Sequence, residues 1–135
     1  MFPDSTRILV VDDMPSLREL LKAHLRRIGF KNIVEAKDGQ EAYQLLISSK
    51  SVGTSFDLVV CDWNMPNMTG LELLKVVRAV DIWKKLPFLL LTTESEKGKV
   101  MEAISSGVNN YMVKPVEEQV LREKLASVWK KMQEN

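Results

Sequence analysis

Five short apolar runs alternate with segments of helical patterning, and this alternation narrows the folds open to the chain. The runs cover residues 8–11, 33–36, 58–61, 88–91 and 111–113. Each is too short for a buried helix, and most are apolar throughout rather than at every second position. Strands of that kind suit a parallel sheet covered on both faces. The intervening segments supply the cover. Leu17, Leu20, Leu21, Leu25 and Ile28 form one stripe after Pro15, and Gly29 ends it. Asp38-Gly39 reads as a turn, and the next helix carries Ala42, Leu45 and Leu46. The run 48–55 is polar, contains Gly53 and is expected to be a loop. Leu71, Leu74, Val77 and Val80 mark a third helix after the loop 66–70. A fourth helix is predicted over 97–106, with Val100, Met101 and Ile104 inward. The last carries Val120, Leu121, Leu125, Val128 and Trp129. The expectation is a βα unit repeated five times. Right-handed crossovers then give a doubly wound α/β fold, a three-layer αβα sandwich.

Length and charge bound the function. A chain of 135 residues favours one domain, here expected to span 1–135 with a core about 7–132 and no separate output domain. A net charge of +1 gives no bulk attraction to nucleic acid. No apolar run approaches the roughly 20 residues of a membrane span. One cysteine, Cys61, cannot form an internal disulfide, and residues 1–5 lack a basic-then-apolar signal. A cytoplasmic location is expected.

The chemistry sits at the ends of the runs. Asp12-Asp13 closes the first strand, Asp62 the third, Thr92 the fourth and Lys114 the fifth. In an open parallel sheet those ends meet at one edge, where ligands bind. Each residue alone has a plain reading: aspartates favour turns and caps, Thr92 is an ordinary strand end, and Lys114 is a surface lysine before Pro115. Their shared placement favours a site. Clustered carboxylates repel one another unless a cation intervenes, and hard oxygen ligands suit Mg2+. Lysine and threonine add a charge and a hydrogen bond, as in a clamp on a transferring phosphoryl group. A carboxylate inside that clamp can be the nucleophile.

The stretches Val10-Val11-Asp12-Asp13, Cys61-Asp62-Trp63-Asn64-Met65-Pro66-Asn67-Met68-Thr69-Gly70, Leu91-Thr92-Thr93-Glu94 and Val113-Lys114-Pro115 resemble response-regulator receiver domains, nearest to the single-domain chemotaxis regulators. The resemblance implies a flavodoxin-like sheet of order 2-1-3-4-5. It implies that Asp62 accepts the phosphoryl group, with Thr92 and Lys114 assisting. Asp12, Asp13, Asp62 and the main-chain carbonyl of Asn64 would hold Mg2+. Thr92 and Tyr111 would be the switch pair, and Asn64 and Glu94 would tune hydrolysis. A plain packing role for Tyr111 stays open.

The implied partners are a histidine kinase as phosphodonor and a target protein on the face of helix four, strand five and helix five. The flagellar motor switch is the leading target, and a phosphatase is a further candidate. A monomer is implied, with no nucleic acid and no membrane insertion. Some residues depart from the family. Met14-Pro15 replaces the usual aromatic and small polar pair. The polar run 48–55 is longer than in close relatives. Glu96 and Ser127 stand where motor-binding relatives are basic. A relay intermediate or phosphate sink fits the same pocket. A Mg2+-dependent aspartyl phosphatase fits less well, because Asn64 occupies the position of its second catalytic aspartate. His24, Trp83 and Trp129 read as helix-packing residues, and Trp63 is expected near the site surface.

Overall fold

The computed structural model describes residues 1–93 and 98–134. Their strands form one parallel sheet of order β2-β1-β3-β4-β5, built from β1 (Arg7–Val11), β2 (Asn32–Ala36), β3 (Leu58–Asp62), β4 (Phe88–Thr92) and β5 (Asn110–Val113). The helices are α1 (Pro15–Ile28), α2 (Gly39–Ser51), α3 (Gly70–Ala79), α4 (Val100–Ser105) and α5 (Glu118–Gln133). A short 3-10 turn, Asp81–Trp83, precedes β4 and was not foreseen.

The sheet divides the core into two. On one face, Ile8, Val10, Leu58, Val60, Leu89, Leu91 and Met112 pack with Leu21 and Leu25 of α1 and Leu121, Leu125 and Val128 of α5. On the other, Leu9, Val11, Val59, Cys61, Phe88 and Leu90 meet residues of α2, α3 and α4. Successive strand residues alternate strictly between the two sets, as the period of two requires. All of β3 and β4 is buried. This explains why these runs show no polar alternation in the sequence.

Several expectations need correction. The run 48–55 is not all loop: α2 continues to Ser51. The Ser48, Ser49 and Ser51 hydroxyls donate to the carbonyls of Gln44, Leu46 and Ile47, so the polar side chains are satisfied within the helix. In α4, Val100 and Ala103 face the core, whereas Met101 and Ile104 are 72% and 50% exposed. The helix is turned so that its smallest side chain lies against the sheet. Leu20 is likewise 44% exposed, and α1 buries Leu21 and Leu25 instead. Trp63 is only 4% exposed, because it continues the alternation of Val59 and Cys61 into the α2–α3 side of the core.

Candidate phosphoryl-acceptor and metal site

Alternation also aims the polar residues beyond the strands. Asp12 follows Ile8 and Val10, Asp62 follows Leu58 and Val60, and Lys114 follows Met112 at two-residue steps. All three therefore lean toward the α1–α5 side at the carboxyl edge of the sheet. Thr92 falls in the opposite phase, with Phe88 and Leu90.

Asp12 and Asp62 are 2% and 5% exposed, while Asp13 is exposed. Carboxylate oxygens of all three approach within 4.8 Å of one another. The Lys114 ammonium lies 2.7 Å from Asp62 Oδ1 and 3.8 Å from Asp12 Oδ2. Burial pushes the Asp62 carboxyl above its ordinary range, and the Lys114 hydrogen bond opposes the shift. Burial does the same to Asp12, against the Met14 amide bond and the Lys114 charge. Two buried carboxylates with raised proton affinity beside a third carboxylate form a site whose ionised state needs more positive charge than one lysine supplies. The donor set is all hard oxygen and is open on the Asp13 side, which fits Mg2+.

The supporting frame is local. The Met14 amide donates to Asp12 Oδ1 at 3.0 Å, and Pro15 then starts α1. Arg18 donates to the Asp12 carbonyl at 2.7 Å and to Glu35 at 3.1 Å. Lys22 donates to the other Glu35 oxygen at 2.9 Å, and this bond above all holds the Glu35 carboxyl below its usual range. The loop leaving Asp62 turns back at once. The Gly70 amide donates to the Trp63 carbonyl, and a Cβ on Gly70 would lie 2.3 Å from the Asp62 carbonyl oxygen. Only glycine permits that approach. Thr69 then caps α3 in a reciprocal box with Glu72. Reading 66–70 simply as a loop overlooked this role of Gly70. The signal available was Thr69 three residues ahead of Glu72.

Thr92 is fully buried at the same edge, and its hydroxyl points at the Met112 carbonyl at 3.5 Å, the long limit of a hydrogen bond. Its own carbonyl accepts from the Lys114 amide at 2.7 Å. Asn64 sits in the exposed start of the loop after β3. Tyr111 is half-buried on β5 against the α2–α3 side of the core, with the Lys124 ammonium 5.3 Å from its ring centre. Glu94, Glu96 and Lys97 lie outside the described residues. His24 is half-buried on α1, as expected, and its Nδ1 lies 3.0 Å from Glu118 Oε1, joining α1 to α5.

An acidic pocket and a lysine at the carboxyl edge of a 2-1-3-4-5 sheet define a class of signalling domain. The family model described as response regulator receiver domain matches residues 8–126, and the chain belongs to that family. Within it, the chain is homologous to the chemotaxis regulators named CheY. The chemotaxis protein CheY of Pseudomonas aeruginosa is 44% identical over 126 residues, covering 93% of this chain and 98% of the relative. Chemotaxis protein CheY1 of Helicobacter pylori is 43% identical over 122 residues, covering 90% and 95%. The crystal structure of Vibrio cholerae chemotaxis protein CheY4 superposes with a TM-score of 0.79 at 35% identity, covering 92% of this chain and 98% of that one. The flavodoxin-like fold expected from the sequence is the fold observed. Among the described residues, no helix is long and apolar enough to cross a membrane.

Proposed function

We propose that this receiver domain is a phosphorylation-activated switch in which Asp62 takes a phosphoryl group from a histidine kinase. The observation that carries the reading is the Asp62 carboxylate, buried at the end of β3, 2.7 Å from Lys114 and clustered with Asp12 and Asp13. An Asp62 oxygen attacks phosphorus in line, the P–N bond of the phosphohistidine breaks, and its electron pair leaves with the imidazole. Asp12, Asp13, Asp62 and the Asn64 carbonyl would hold Mg2+, which supplies charge neutralisation and a template for the phosphoryl oxygens. Lys114 balances the charge that remains on the acyl phosphate. Thr92 offers its hydroxyl to the same oxygens, giving up a long bond to Met112 for a shorter, charge-assisted one.

The new charge then biases the face of α4, β5 and α5 toward a binding state. Tyr111 and Lys124 lie on that face, and Met101 and Ile104 of α4 are exposed. Asn64 and Glu94 tune the lifetime of the phosphate. The output is a protein contact, and chemotaxis is the favoured setting because the relatives at 42–44% identity carry that name. A flagellar motor switch is the favoured target, in a cytoplasmic setting and with this chain as a monomer.

Incubation with acetyl phosphate and Mg2+, followed by intact mass measurement, tests the acceptor. One added phosphoryl group in the wild type and none in Asp62→Asn is the expected result. A persisting adduct in Asp62→Asn would move the acceptor elsewhere.

A further inference from the structure

The loop after Asp62 contains a turn that the phosphoryl chemistry does not itself require. The Met68 amide donates to the Pro66 carbonyl at 2.7 Å, closing a three-residue turn around Asn67. Asn67 is the one non-glycine residue with positive φ among the described residues, at 69°. A γ-turn of that hand is rare and strained, and such conformations persist only where the surroundings hold them. Here the holder is visible. Asn67 Nδ2 donates to Asp38 Oδ2 at 3.0 Å. Asp38 is itself fixed: it is 5% exposed, and its other oxygen accepts the Glu41 amide at 2.9 Å as the N-cap of α2. The next pair repeats the contact sterically. A Cβ on Gly39 would lie 2.8 Å from Met68 Cβ and 2.9 Å from the Met68 carbonyl oxygen. Two consecutive residues of the loop are thus docked on two consecutive residues at the start of α2.

We infer that the Asn67–Asp38 hydrogen bond is a latch that positions the loop, and hence the Asn64 carbonyl, for the cation. Asn67 and Asp38 are positioning residues and do not touch the metal themselves. The inference rests on the reading that Asp12, Asp13, Asp62 and the Asn64 carbonyl hold Mg2+. Only four residues separate Asp62 from Asn67, and the far end of the loop is pinned at Gly70 against the Asp62 carbonyl. Release of the latch frees the middle of a short loop whose two ends stay fixed. The entropy of ordering that loop then falls on the cation, and affinity drops without loss of any ligand.

Mg2+ titration followed by tryptophan fluorescence tests this, with the urea midpoint measured in EDTA alongside. Asn67→Gly accepts the positive φ but deletes the bond. We expect it to bind Mg2+ about fivefold more weakly, a loss of about 1 kcal/mol. The exchanged pair Asp38→Asn with Asn67→Asp keeps the net charge, an N-capping side chain and a donor–acceptor match. It should bind Mg2+ within about twofold of wild type, taking the tenfold-per-1.4 kcal/mol scale. Wild-type affinity in Asn67→Gly, or an exchanged pair as weak as Asn67→Gly, would overturn the latch. So would a loss confined to the urea midpoint, which would make the bond merely structural. If the wild type bound no Mg2+, the pocket reading would fail and the latch with it. Wild-type binding that is lost in Asp13→Asn keeps the two questions separate.

Discussion

Lys114 Nζ sits between two buried carboxylates, at 2.7 Å from Asp62 and 3.8 Å from Asp12, and so it offsets their charge. Its side chain is 20% exposed, against 7% for that of Asp62. Lys114→Ala leaves a buried carboxylate without its neighbour. The cost in metal-free stability should be about 2 kcal/mol, below the 3–5 kcal/mol typical of fully buried pairs, because water reaches Lys114. Coupling should suffer more. With beryllofluoride as a phosphoryl mimic, Lys114→Ala should lose most of the gain in partner affinity. Thr92→Ala should still accept phosphate yet lose a smaller part of that gain, since one neutral hydroxyl is removed. Both variants retaining the wild-type gain would send the signal out of the pocket by another route.

Asp13 is the exposed member of the acidic cluster, so its substitution disturbs packing least. Asp13→Asn should weaken Mg2+ binding at least tenfold, about 1.4 kcal/mol. It should also leave the metal-free fold unchanged or slightly more stable, because one repelling charge is gone. Isothermal titration and urea unfolding in EDTA measure the two effects separately. Unchanged affinity would remove Asp13 from the ligand set.

The pH profile should have two limbs of opposite sign. Burial raises the Asp12 and Asp62 carboxyls in the folded chain. Their protonation therefore favours the fold, and that contribution is lost as pH rises through their folded values. Glu35 is held low chiefly by the Lys22 bond, and Asp38 by the Glu41 amide and then Asn67. Their contribution is present above the unfolded values and lost as pH falls through the folded ones. Metal-free protein should gain stability as pH falls through the raised folded values of Asp12 and Asp62, and lose it at lower pH as Glu35 and Asp38 are protonated. Protection by Mg2+ should grow with rising pH, since the metal competes with those protons. Urea unfolding with no rise in stability on acidification, before the acid loss sets in, would contradict the raised pair.

Gly70→Ala should be among the most damaging single-methyl additions in the chain. The new Cβ would meet the Asp62 carbonyl oxygen at 2.3 Å, a backbone atom with little freedom to move. Overpacking of this kind costs about 1–3 kcal/mol, and the upper end is expected here. Acyl-phosphate formation should fall along with stability, because relief of the clash shifts the backbone of Asp62 itself. Gly53→Ala, which meets nothing within 4 Å but must keep a φ of 75°, is the control for strain without contact.

The sheet and its polar edge were legible in the sequence because both depend on short-range patterns. Apolar runs marked the five strands, and an acidic, hydroxyl or basic residue ended four of them. What escaped depends on contacts between segments. Ala103 rather than Ile104 faces the core because the small side chain lets α4 approach the sheet, which residue type alone does not announce. The serines that end α2 looked like loop because their hydroxyls could bond anywhere, and in fact they bond one turn back. Asn67 and Asp38 lie 29 positions apart, so the bond between them becomes visible only when two loops are brought together.

Cys61 is fully buried between β1 and β4, and its thiol donates to the Asp62 carbonyl at 3.2 Å. Burial drives its proton affinity far above that of a free thiol, so in the closed sheet it is neither reachable nor nucleophilic. As the chain's single sulfhydryl, it is a ready-made clock. Its modification by a thiol reagent can proceed only when the centre of the sheet opens beside Asp62. The labelling rate therefore reports the free energy of that opening without any introduced probe.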